Sequence, residues 1–453
     1  MTEEDPRIGV ALSGGGHRAA LFGLGALLYL VDAGKGPQLT SVASVSGGSL
    51  TNAFIGRALD LSTVEPQTMW THARVLATQI VRRGTLWAAP LTYAYLASMV
   101  ILVAAAVAVS CVAPTWVIVL AWVVAIALCG WLSQQRSAVA ARAFDSTLFH
   151  GAELASLNGA VSHVMCATDL QAGQAVYFAN SFVYSYCSGW GSPGNFRAAQ
   201  AAQASAALPG AFNVVSLPLR RFGLPEQRVT NRNPPRRFKL LDGGVYDNMG
   251  SEWLLNIQQR LRDGVPPQGL ATVTEAIVVN ASAGADVIPR PWVKIPFIGE
   301  LFSLLAVKDV MYRQTTAVRR RLLNVRYQIA QDQARIQANA RLLMEALQGT
   351  TIQIDRSPFQ IPRDFQAGGD DLSARAAAAI QLLGEPTYEA WAAEAESNRT
   401  VKTTLSKIEP ARAASLIRHA YVLTMVNSHV LLNYPLLPIP DPDRFAWLVT
   451  PDS

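Results

Sequence analysis

A serine lies among small residues at Ser44-Val45-Ser46-Gly47-Gly48. The spacing is one residue away from the G-x-S-x-G turn that exposes a nucleophilic serine between a strand and a helix, with Ser44 where the first glycine should be. Such a turn needs small residues two before and two after the serine, because strand and helix meet there almost in contact. Ser44 and Gly48 both meet that need. A Ser/Gly cluster by itself is also an ordinary polar turn. Nucleophilic chemistry would require two further parts: a base for the serine proton, and donors for the charge that develops on an attacked carbonyl oxygen.

Both parts have candidates. Gly14-Gly15-Gly16 leads into His17-Arg18 and leaves backbone N–H groups without side-chain cover at a helix start, where free donors and the helix dipole favour anionic oxygen. The spacing is not G-x-G-x-x-G, and no acidic residue ends the next strand as dinucleotide binding would want. An oxyanion hole is the better reading. Asp242, in "LLDGGVYDN", is the candidate base, although Asp-Gly is also common turn chemistry. Asp247, five residues on, is an alternative base that reads more simply as a turn residue.

The elements that must position these groups follow from the apolar pattern. Ile8 to Leu12 reads as a buried strand, then the glycine turn, then a helix ending at Gly34. "LTSVASVS" reads as a second strand, followed by the Gly47-Gly48 turn and a second helix. Two strand–turn–helix units in this order indicate an α/β fold with a largely parallel central sheet. "AVSHVMCATDL", "RFKLLDGG" and "EAIVVNAS" supply further strands. In a parallel sheet the C-terminal strand ends share one edge, which would gather Gly14–Gly16, Ser46 and Asp242. Residues 297–347 read as a mostly helical elaboration and 349–375 as mixed and loop-like.

In this order the motifs resemble the patatin-like phospholipase family, over roughly the first 280 residues. "SGGGHRA" resembles the family's glycine-rich oxyanion block, carried onto Gly14, Gly15, Gly16 and Arg18. "SVSGGS" resembles its elbow and carries the nucleophile onto Ser46. "ATDLQAG" and "ASAALPGAF" are similar to its middle strand and helix end, and "LLDGGVYDN" carries the dyad aspartate onto Asp242. A late stretch, "TTLSKIEPARAASLIRHAYVLTMV", is weakly similar to its closing helix. The resemblance implies a three-layer α/β fold and a Ser–Asp dyad acyl hydrolase acting on lipids through an acyl-enzyme, without a metal or other cofactor. Ser44 departs from the motif, and the family pattern does not explain what lies between elbow and middle strand.

That insertion carries no charge from Gly84 to Gln135. "LTYAYLASMVILVAAAVAVSCV" (Leu91–Val112) and "TWVIVLAWVVAIALCGWL" (Thr115–Leu132) are each about as long as a bilayer-spanning helix, which takes roughly 20 residues. Pro114 breaks them apart, and Trp87, Tyr93, Trp116 and Trp131 lie near their ends as interfacial aromatics do. Arg82, Arg83, Arg136 and Arg142 flank the pair and put both outer ends on the cytoplasmic side. The expected organisation is a discontinuous catalytic domain, 1–84 and 136–453, interrupted by a transmembrane hairpin over 85–135. It places a two-span membrane protein with its catalytic domain in the cytoplasm.

Composition agrees. Half of the 453 residues are hydrophobic and 15% are charged, with a formal charge of +6. That charge is too modest for a dedicated nucleic-acid binder and suits an anionic membrane surface. The basic set Arg220, Arg221, Arg228, Arg232, Arg236, Arg237 and Lys239 before Asp242 is either a solvated loop or a headgroup patch. Cys111, Cys129, Cys166 and Cys187 form no CxxC pair, zinc spacing or disulfide framework, which suits a reducing compartment. The acidic Met1–Asp5 lacks the basic region of a secretory signal. The expected partners are membrane phospholipid, as substrate, and the bilayer. Two rival readings stay open: a Ser-His-Asp esterase using His419 or His429, both on an apolar helical pattern, and a catalytically retired, membrane-anchored interaction protein.

Overall fold

The apolar segments around the two glycine turns pair as the strands of one sheet. In this computed structural model, residues 6–224, 235–262, 270, 272–282, 298–331, 347–367 and 371–450 are described. Met1–Asp5, Arg228, Arg232 and residues 332–346, on which parts of the expectations above fall, lie outside them. The strands are β1 (Ile8–Leu12), β2 (Leu39–Val45), β3 (Ser162–Asp169), β4 (Gln174–Ala179), β5 (Val183–Ser185), β6 (Gly189–Gly191), β7 (Val215–Pro218), β8 (Arg237–Asp242), β9 (Glu275–Asn280) and β10 (Gln348–Gln353). Their spatial order is β10-β9-β1-β2-β3-β4-β5-β6, with β8 on β3 and β7 on β8.

From β10 to β3 every pairing is parallel. This is the half that the strand–turn–helix units foretell. Beyond β3 the sheet continues through antiparallel neighbours. Side chains alternate between two packed faces, as a strand's period of two requires. Val10, Leu12, Ile277 and Val279 enter one core, and Ala11, Ala43, Val278 and Ala276 the other. The first core is closed by helices α1 (Gly16–Asp32), α2 (Gly47–Ala58), α3 (Pro66–Arg82) and the late helix Pro410–Leu432. The second is closed by the helix Glu252–Arg262, with Trp253, Leu254 and Ile257, and by Leu323 of the helix Ile298–Gln331. Three layers result, and strands covered on both faces read as nearly unbroken apolar runs.

The expectation that Asp242 ends a parallel strand is corrected. β8 runs antiparallel to β3. Along one edge of β3, β2 pairs up to Val45 opposite Cys166, and β8 takes over with Asp242 opposite Ala167. The two strands approach head-on, and their C-terminal ends meet. Ser46 and Asp242 therefore converge because two opposed strands share one neighbour. The stretch 349–375, expected to be loop-like, instead contains β10 and the helix Gln360–Phe365.

The two apolar segments form α4 (Pro90–Val112) and α5 (Thr115–Ser133), separated at Pro114. Both are long and apolar enough to cross a membrane, and only 6% of the apolar window of each is buried by the rest of the chain. Neither helix is packed into the core formed by the described residues. Tyr95 donates to the Leu132 carbonyl (3.1 Å) and Trp122 to Ser110 (3.0 Å), tying the two helices together.

Candidate active site

Ser46 stands between β2 and α2 at φ 52°, ψ −116°, one of three described non-glycine residues with positive φ. A serine is held in that conformation only where its surroundings over-determine it, and the strained strand-to-helix turn is what presents a nucleophile. The approach of the two units enforces the turn. A Cβ on Gly47 would overlap the Gly16 carbonyl oxygen, so only glycine lets the second turn lie against the first.

Beneath the elbow is a buried hydroxyl network. Ser46 N–H donates to Ser205 Oγ (3.0 Å), and Ser205 Oγ donates to the Cys166 carbonyl (2.6 Å). Ser49 Oγ lies 2.9 Å from Ser205 Oγ and 3.1 Å from Ser44 Oγ, and Ser44 in turn donates to the Val164 carbonyl (3.0 Å). Asn52 donates to Ser44 Oγ (2.9 Å) and is braced by His163 (2.8 Å). Ser44 departs from the glycine of the motif because its hydroxyl is a satisfied member of this network. Ser205 belongs to the third motif block, and its part in holding the elbow is not visible in the sequence.

Asp242 is 2% exposed. Its carboxylate accepts the Gly244 N–H (2.8 Å) and lies within hydrogen-bonding reach of the Ser46 hydroxyl. Burial pushes the carboxyl up to about 6, against the lowering effect of Gly244, Ser46 and Tyr312. Tyr312 comes from the helix Ile298–Gln331. Its Cε1 lies 2.5 Å from where a Cβ on Gly244 would stand, and its buried hydroxyl sits beside Asp242 without full hydrogen-bond geometry. Nothing in the sequence marks Tyr312, because no spacing relates it to Asp242.

The glycine block is more selective than the sequence suggests. Gly14 N–H is engaged by the Asn248 carbonyl (2.9 Å), which corrects its expected role as an oxyanion donor. Gly15 (φ 140°) and Gly16 (φ 61°) have N–H groups with no partner among the described residues, and Gly47, first in α2, has no intrahelical one. Arg18 is buried beside this loop, with its Nη2 3.4 Å from where a Cβ on Gly15 would stand. Its Nη1 donates to the Val401 carbonyl (2.6 Å), and burial lowers its pKa to about 10. His17 N–H donates to Thr404 O (2.9 Å). The segment Val401–Ser406 is thus a strap behind the glycine loop.

None of the six histidines hydrogen-bonds Ser46 or Asp242. His419 is buried against the Arg356 carbonyl (2.8 Å) and Asn398, and His429 points to the Tyr434 carbonyl (2.7 Å). Asp247 accepts from the Met249 N–H (3.0 Å) and Glu252 N–H (2.6 Å), and so starts the next helix instead of serving as a base. Of the basic set, Arg237 and Lys239 converge on Ser216, and Arg221 lies over the Phe196 ring.

The hairpin roots stand beside this site. His17 Nε2 is 3.0 Å from Thr85 Oγ1, and the Thr85 N–H reaches the Leu405 carbonyl of the strap (3.4 Å). At the other root, Ser137 N–H donates to Asn213 Oδ1 (2.9 Å), just past the helix that carries Ser205.

The chain matches no protein-family model and no curated protein sequence. Among solved structures, the human GIVD cytosolic phospholipase A2 aligns with 99% of this chain at 13% identity and a TM-score of 0.49. This chain spans 61% of that protein's length. VipD from Legionella pneumophila aligns with 99% of this chain and 92% of its own, at 14% identity and a TM-score of 0.24. The chemistry of the site follows from its own geometry.

Proposed function

We propose that this chain is a membrane-anchored serine lipid acyl hydrolase of the phospholipase or lysophospholipase type, working through a Ser46–Asp242 dyad. One observation carries the reading. A serine in a strained elbow lies beside a buried carboxyl of raised pKa, next to a glycine loop whose Gly15 and Gly16 N–H groups have no partner among the described residues. A scaffold without catalysis has no need of all three together.

The chemistry runs in two halves. Asp242 accepts the Ser46 proton as Oγ attacks the ester carbonyl carbon. The oxyanion of the tetrahedral intermediate is held by the Gly15, Gly16 and Gly47 amides, and losing one such donor typically costs about 10²–10³ in rate. The C–O bond to the alcohol breaks, and the departing oxygen takes the proton from Asp242. Water then adds to the acyl-enzyme, giving its proton to Asp242, and Ser46 leaves with that proton as the fatty acid is released.

In this reading the hairpin is the anchor and residues 136 onward complete the domain begun before 84. A phospholipid must leave the bilayer to reach a buried serine, at about 0.8 kcal/mol per CH₂ exposed to water. In the proposed arrangement the hairpin, rooted at Thr85 and Ser137, holds the mouth against the cytoplasmic leaflet, where most of that cost is avoided. The deciding experiment is hydrolysis of phospholipid vesicles by wild type and Ser46→Ala. Loss of activity in a folded Ser46→Ala supports the dyad, and retained activity refutes it.

A further inference from the structure

The hairpin leaves the domain next to a cavity. It has a volume of about 390 Å³ and lies among the far half of α2, the end of α3 and the first turn of α4. Arg57, Arg83 and His150 line it, together with Thr147, whose hydroxyl donates to the Ala143 carbonyl (2.8 Å), and the apolar Ala89 and Pro90. No acidic residue lines it. Asp145, beside the lining Ser146, turns its carboxylate to the Gly151 N–H (2.9 Å) and to Arg197 (3.0 Å). Arg57 makes one long hydrogen bond, to the Phe149 carbonyl (3.4 Å), and lies over the Phe54 ring (5.7 Å), while its Nε is buried without a hydrogen-bond partner. Arg83 is exposed. Arg57 lies eleven residues beyond Ser46 on the same helix, about 16 Å away at 1.5 Å per residue. A ligand here is not the ester attacked by Ser46.

We propose that this cavity binds the phosphate of an anionic phospholipid that is not the substrate, clamping the root of the hairpin to the headgroup layer. The chemistry wanted is a phosphate oxyanion for Arg57 and Arg83, and acyl chains continuing along the apolar surface of α4. Val100, Ile101 and Val103 on α4 are exposed for that purpose. Basic pockets at the membrane end of a spanning helix bind such headgroups. The proposal rests on the membrane reading of the hairpin and is independent of the dyad.

The test uses the full chain, extracted in mild detergent and examined by native mass spectrometry after equilibration with phosphatidic acid or phosphatidylcholine. Carbonate washing of the source membranes first reports whether the chain is anchored, so failure of the membrane reading is seen separately. Wild type should retain phosphatidic acid and not phosphatidylcholine. The double variant Arg57→Gln/Arg83→Gln should bind phosphatidic acid about thirtyfold more weakly, near a factor of five for each arginine. Cleavage of a soluble short-chain ester should be unchanged. If the double variant does not fold, Arg83→Gln alone should show the fivefold loss. Equal retention of phosphatidic acid by wild type and the folded variant would overturn the proposal. So would equal retention of phosphatidylcholine, or inorganic phosphate binding with the same arginine dependence where the lipid does not bind.

Discussion

His17 Nε2 and Thr85 Oγ1 lie 3.0 Å apart, which joins the glycine loop directly to the root of the apolar hairpin. The other ring nitrogen, Nδ1, is 2.7 Å from the Ser406 carbonyl, which only accepts. Nδ1 therefore carries the proton and Nε2 accepts from Thr85. Burial lowers the ring's pKa to about 4, so it is neutral at pH 7. The loop that presents Gly15 and Gly16 is fixed from two directions, by the strap and by the anchor.

Thr85→Val removes that donor at constant shape. A buried acceptor left unsatisfied costs about 1–3 kcal/mol. The expected outcome is a corresponding loss of stability in denaturant unfolding, with slower hydrolysis even of a soluble ester because the oxyanion donors lose their brace. An unchanged variant in both measurements would show that the contact does not restrain the loop.

The proposed Ser46–Asp242 dyad carries a definite pH signature. Asp242 works as a base only when ionised, and its carboxyl is raised to about 6. kcat/KM should rise through about pH 6 to a plateau. Tyr312 lowers that carboxyl, so Tyr312→Phe should move the rising limb to higher pH and leave the plateau little changed. A purely structural role for Tyr312 would change the plateau and leave the limb where it was.

Asp242→Asn should abolish hydrolysis while stabilising the fold at neutral pH. An exposed carboxyl loses its proton near 3.8, and the folded one keeps it to about 6. Across that window the unfolded state is favoured as pH rises, and an amide escapes the effect. The stability gap between Asp242→Asn and wild type should widen from pH 4 to pH 7 by roughly 2–3 kcal/mol, since each pH unit between the two ionisations is worth about 1.4 kcal/mol. Thermal melts at the two pH values measure it, and a constant gap would contradict a buried, raised carboxyl.

Replacing residues 90–133 with a short polar linker keeps Thr85 and Ser137 in place and removes only the apolar hairpin. Cleavage of a soluble short-chain ester should persist, and vesicle hydrolysis should fall steeply at equal protein concentration. Undiminished vesicle hydrolysis would show that the hairpin does not bring the site to the bilayer.

The sequence by itself determined the features whose cause is local. The apolar runs bounded by turn residues fix β1, β2, β3, β8 and β9. About twenty uncharged residues on each side of Pro114 define two long apolar helices wherever they lie. The tertiary structure decided everything that depends on partners far apart in the chain. β8 turned out antiparallel, because strand direction is set by the neighbour that offers free hydrogen bonds, and that neighbour was the edge of β3 beyond the end of β2. β10, a polar stretch without strand alternation, became a strand because β9 presented an open edge. Gly14 lost its donor to Asn248, while Ser205 and Tyr312 gained places at the elbow and the carboxylate. A sequence shows which groups a residue carries. Which of them remain unsatisfied, and so available for chemistry, is settled only when the buried hydrogen bonds have all been assigned.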